Sequence, residues 1–196
     1  MITVTIGRLT RSTTTDYVFA CKVPEPEVPT FGAFVKAPSQ RGQTDVLGLI
    51  YNVAFADDML VRQLAAAENL PEEIVQDNRQ NRQVPIEVSV LSIGYRSGDS
   101  YIHALPPQPP VTLDRISTCD SSEICDFTKR LDFLRLILNS PVPMGDELIA
   151  TSVLSAAACR PVEERERFLR EAGRELARLM GRDLARLENL LRRIRP

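Results

Sequence analysis

The sequence predicts an α+β protein: a small six-stranded antiparallel β-barrel carrying a helical insertion at about 57–77, followed by a C-terminal segment of about three helices. Three observations predict this. Apolar residues recur with a period of two through the first hundred residues, four prolines stand within Pro106–Pro110, and from Asp120 onward the apolar period becomes that of a helix. The division therefore falls at 1–110 for the barrel and 111–196 for the helical part.

In the opening strand Ile2, Val4 and Ile6 alternate with Thr3 and Thr5, which gives one apolar and one polar face. Tyr17, Phe19, Cys21 and Val23 form a second strand, and the polar Thr10–Asp16 stretch between the two is expected to be a hairpin connection. Pro24, Pro26 and Pro29 interrupt any ladder after it.

Further strands are expected at Gly32–Lys36 and Asp45–Val53, with Pro38–Gln43 as an exposed loop. In the latter strand Val46 and Ile50 oppose Leu47, Leu49, Tyr51 and Val53, so both faces need cover; Gly48 is placed to bend a barrel wall. Asp57-Asp58 and Pro71-Glu72-Glu73 are helix-start signals within the insertion. Ile86, Val88 and Val90 then mark a fifth strand, and Arg96-Ser97-Gly98-Asp99 turns it into a sixth at Tyr101–Leu105.

Past the prolines, Asp120-Ser121-Ser122-Glu123 has the spacing of a capping box, and Ile124, Phe127, Leu131, Leu134 and Leu138 give an apolar helix face ending near Pro141. A second helix is predicted from about Asp146 to Ala158. A third, long and arginine-rich, is predicted over about 162–193. On that helix Leu176, Leu179, Leu187, Leu190 and Ile194 recur at steps of three, four and eight residues, a face that needs a partner, either the preceding helices or another chain.

The β part resembles the HAS-barrel, the small barrel at the N-terminus of hexameric HerA-type DNA translocases and of the ATP synthase catalytic-ring subunits. The residues that carry the resemblance are Ile6-Gly7-Arg8, the hairpin Thr13–Phe19, the segment Phe31–Val35 and Val46–Ile50, with Leu105–Pro110 similar to the linker into the HerA motor. It covers roughly the first 118 residues. In that family the barrel crowns a ring and helps hold subunits together, while ATP hydrolysis resides in the domain after it. The resemblance thus implies a standalone barrel. The three lysines, Lys22, Lys36 and Lys129, none of them in a glycine-rich phosphate-cradling setting, supply no phosphate-binding loop.

At 196 residues, 43% hydrophobic and 26% charged, the composition is that of a globular chain rather than a disordered one. No apolar stretch reaches the ~20 residues a membrane helix needs, the start lacks signal-peptide character, and four scattered cysteines fit reduced thiols; a cytoplasmic location is expected. His103 is the lone histidine, expected as a wall residue rather than a catalyst, and Cys119 and Cys125 flank a helix start where a thiol pKa can fall. The acidic pairs, Glu163-Glu164 among them, suit helix N-termini.

The net charge of −2 conceals an asymmetry: from Arg160 to Pro196 eleven arginines face seven acids. The expected function is that of a non-enzymatic assembly or adaptor protein, with no cofactor and no metal, whose barrel makes protein or ring contacts and whose helical leucines make a second contact. The alternative is a nucleic-acid-binding accessory protein using Arg182, Arg186, Arg192 and Arg193, although the interleaved acids screen that stripe.

Overall fold

The structure, a computed structural model, describes residues 4–21, 29–55, 66, 71–73 and 86–195. The helical insertion expected at 57–77 lies outside the described residues except at Ala66 and 71–73, where Glu72 and Glu73 are helical. Residues 1–3 and 22–28 also lie outside them.

Seven strands are described: β1 Thr5–Ser12, β2 Asp16–Cys21, β3 Phe34–Ser39, β4 Thr44–Phe55, β5 Ile86–Ser97, β6 Ser100–Ile102 and β7 Arg115–Thr118. Six of them close a barrel in the order β2-β1-β7-β3-β4-β5, with β5 returning to β2, and every pairing is antiparallel. The expected six-stranded antiparallel barrel is therefore present. Its sixth wall strand, however, is β7, which follows the proline run; the strand expected at Tyr101–Leu105 is the short β6, a hairpin extension of β5 outside the ring. A barrel ending at 110 would lack the strand that joins β1 to β3.

Alternation along the strands assigns each side chain to one of two cores. Val46 and Ile50 of β4, Val88 and Val90 of β5, and Leu9, Phe19, Val35 and Ile116 fill the barrel interior. On the outer face of β3, β4 and β5, Phe34, Leu47, Leu49, Leu91 and Ile93 pack under the helices. This explains why β4 is apolar on both sides. Gly48 sits where the β4–β5 register shifts, and a Cβ there would stand 2.3 Å from Val90 Cγ1 and 2.8 Å from the Leu91 carbonyl oxygen. Only glycine fits that bend.

β3 runs on through Pro38 to Ser39, beyond the predicted Lys36. Proline is tolerated because β7 reaches only Val35 and Lys36, leaving the end of β3 with a single neighbour. The predicted loop shrinks to a tight turn at Gln40–Gly42.

Five helices are described: α1 Ser121–Phe127, α2 Phe133–Leu138, α3 Gly145–Ala158, α4 Val162–Leu179 and α5 Leu184–Arg193. The capping box of α1 is formed, with Asp120 Oδ1 accepting from the Glu123 amide at 2.9 Å and Glu123 Oε2 accepting from the Asp120 amide at 3.0 Å. Lys36 of β3 pairs with the same Glu123, tying the cap to the barrel wall. The single helix expected across Ile124–Leu138 is two, α1 and α2. Phe127 closes α1 and packs among Phe34, Tyr101, His103 and Phe133.

Candidate functional site

The long helix predicted over 162–193 is broken at Met180–Asp183 into α4 and α5. Gly181 weakens the helix there, and the Asp183 carboxylate accepts from the Arg186 amide at 3.1 Å to begin a new one. The break lets α5 fold back onto α3. Leu176, Leu187, Leu190 and Ile194 are consequently buried in the core shared with α3 and the barrel, and Leu179 is half-buried against it. Of the two partners the sequence allowed for this apolar face, the preceding helices of the same chain are the one that covers it.

The arginine stripe is similarly engaged. Arg186 makes a forked pair with Asp146 at 2.7–3.0 Å, Arg193 pairs with Glu147, and Arg192 pairs with Glu188 at 2.9 Å. Asp146 and Glu147 lie in the first turn of α3, so they serve its positive end and anchor α5 at once. Donating to the Asp146 carboxylate holds the Arg186 guanidinium even more firmly protonated than usual. On α4, Arg167, Arg170 and Arg178 pair with Glu171, Glu166 and Glu175. Arg182 is exposed and has no acidic partner among the described residues.

His103 is a packing residue in its geometry. Its Nε2 donates to the Phe127 carbonyl at 3.0 Å, its ring meets Phe127 edge-on with centroids 4.5 Å apart, and Asp132 stands 3.6 Å from Nδ1. Burial outweighs these partners and lowers its pKa below the ordinary value. Burial also raises the thiol pKa of Cys119 and of Cys125, the opposite of what an activated nucleophile needs. Glu163 and Glu164 occupy the first turn of α4. Among the described residues no three His, Cys, Asp or Glu side chains converge as metal ligands, and no helix is long and apolar enough to cross a membrane.

One surface feature was invisible in the sequence. The proline run is strapped to the barrel, with Ser39 Oγ against the carbonyls of Gln108 and Pro109 and Ser12 Oγ donating to the Pro110 carbonyl at 2.6 Å. Immediately after it, Leu113 is fixed by its amide on the Leu9 carbonyl at 2.8 Å and by Arg8 Nη1 on its own carbonyl at 2.9 Å. Leu113 adopts a left-handed backbone, φ +71°, and is 71% exposed, and Val111, two residues before it, is exposed as well. A leucine in that conformation costs about 1 kcal/mol or more, with no burial of the side chain to offset it. No protein-family model matches the chain, and no curated protein matches it.

Proposed function

We propose that this chain is a non-enzymatic assembly protein whose barrel, of the HAS-barrel kind that its strand motifs resemble, carries a contact face for a second copy of the chain. The observation that carries this reading is Leu113, a strained apolar side chain held outward by hydrogen bonds to β1 and Arg8. Helices cover the outer face of β3–β5, so the exposed β1–β7 side is where a ring neighbour has access. The non-enzymatic part rests on His103, whose Nε2 is committed to a backbone carbonyl and whose ring is packed among phenylalanines. The nucleic-acid alternative loses support because Arg186, Arg192 and Arg193 are each tied to a carboxylate of the same chain.

The test is absolute mass by size-exclusion chromatography with light scattering, across concentration, for the full chain and for Leu113→Asp. A multiple of 21.9 kDa for the unaltered chain that falls to 21.9 kDa in the variant is the expected result. A monomer at every concentration overturns the ring-forming reading. An oligomer indifferent to Leu113→Asp moves the contact off this face.

A further inference from the structure

The α4–α5 break brings three arginines at four-residue steps, Arg178, Arg182 and Arg186, to the end of α2, where Arg135 stands. Together they rim a groove of about 580 Å³, within the size range of small-molecule sites of roughly 300–1,000 Å³. Among the described residues the one acid lining the groove is Asp183, and one oxygen of its carboxylate caps α5.

The four guanidinium groups divide by role. Arg178 is forked onto Glu175 at 2.5 and 2.9 Å, and Arg186 onto Asp146, so both are held in place. Arg135 and Arg182 are exposed and have no acidic partner among the described residues, which leaves two guanidinium groups outside any ion pair on one groove, against the one carboxylate of Asp183. The neighbouring groove differs in its lining, where Lys129, Arg130, Arg174 and Arg178 face three carboxylates, Asp132, Glu171 and Glu175. Between the arginines the floor is apolar, formed by Leu138, Leu179 and Met180.

Two free guanidinium forks suit two ionised phosphoryl groups, and an apolar floor beside them suits a flat ring. We infer that this groove is a binding site for a nucleoside diphosphate or triphosphate, with Arg135 and Arg182 on the phosphates and Leu138, Leu179 and Met180 under the base. Binding at this site is independent of the barrel contact proposed above, and either can fail without the other.

Isothermal titration calorimetry of the full chain at low salt, with ADP, adenosine and pyrophosphate as separate probes, tests it. ADP binding at least tenfold tighter than either fragment is expected, as is a loss of about tenfold per arginine in Arg135→Glu/Arg182→Glu. Arg135→Gln/Arg182→Gln should show the same direction with a smaller loss, and covers the case in which the charge reversal unfolds the helices. Arg41→Glu/Arg195→Glu, in the exposed turn after β3 and just past α5, makes the same change in net charge away from both the groove and the β1–β7 face and should leave ADP binding intact. Absence of ADP binding, pyrophosphate binding as tightly as ADP, or an equal loss in this control variant would each overturn the assignment. Tighter binding of a single-stranded oligonucleotide than of ADP, abolished by the same groove variants, would overturn it in favour of nucleic acid.

Discussion

Replacing Arg160 should cost more stability than any exposed arginine of this chain, and the structure supplies the magnitude. Arg160 is only 9% exposed. Its Nη1 donates to the Ala156 carbonyl at 2.6 Å in the last turn of α3, and its Nη2 donates to Thr128 Oγ1 at 2.7 Å, just past the end of α1. Its guanidinium carbon lies 3.7 Å over the centroid of Phe168 in α4. One cation thus joins three helices, and it does so at the negative ends of two of them. Two charge-assisted hydrogen bonds are worth about 1.5–3 kcal/mol each, and the ring contact adds about 1–2 kcal/mol. Against this stands the desolvation of a cation with no carboxylate bonded to it, a penalty of several kcal/mol; the same burial lowers its pKa. The net expected loss for Arg160→Ala is about 2–4 kcal/mol, or roughly 4–16 °C in melting temperature for a chain of this size. Arg160→Lys should recover less than half, since one ammonium cannot reach both acceptors and stack on Phe168. Urea unfolding followed by circular dichroism at equilibrium measures both. A loss under about 0.5 kcal/mol for the alanine variant, the level of an ordinary surface substitution, or full rescue by lysine, would refute the clasp.

Gly48→Ala should destabilise by about 1–3 kcal/mol, because the new Cβ meets a backbone oxygen that cannot move without breaking the β4–β5 ladder; an unchanged urea midpoint would show that the bend relaxes. His103 should make stability fall on mild acidification. Burial holds its folded pKa below 6.5, so as pH drops through 6.5 the unfolded chain takes up a proton that the folded chain resists, and stability rises again as pH returns. Urea midpoints at pH 7.5 and 5.5 should differ less in His103→Asn than in the unaltered chain, and equal differences would assign the acid sensitivity to other groups.

The barrel was legible where apolar residues recur at every second position. Tyr17-Phe19-Cys21 and Ile86-Val88-Val90 each announce a strand, and Asp120 with Glu123 announces a helix start, because the chemistry that forms these elements is local. β7 was not legible: Arg115-Ile116-Ser117-Thr118 has one buried apolar residue, and its place in the wall is decided by β1 and β3, more than seventy residues away in sequence. The same holds for the extension of β1 to Ser12, where Leu9 is the only buried side chain among Arg8, Thr10, Arg11 and Ser12. Helix length was overread at Met180–Asp183, since a heptad-like spacing survives a four-residue break. The groove that joins Arg135 to Arg182 depends on that break and on the path of α2, neither of which the spacing of arginines reveals.

These two misread places bear on how the chain is organised. Because β7 follows the prolines, the barrel cannot close until residues up to Thr118 are in place, and because Phe34, Leu47, Leu49, Leu91 and Ile93 face outward, its wall stays apolar until the helices cover it. Removing the segment after Arg160 would strip Phe168, Ala172, Leu176, Leu187 and Leu190 from that cover. Such a truncation would therefore report on exposed core rather than on a separable assembly helix. The helices dock on one side of the barrel and tie Arg186, Arg192 and Arg193 to carboxylates of the same chain, which leaves the strapped proline segment and Leu113 as an apolar feature facing outward on the β1 side. An assembly contact on this fold is thus best sought with single surface substitutions that spare both cores.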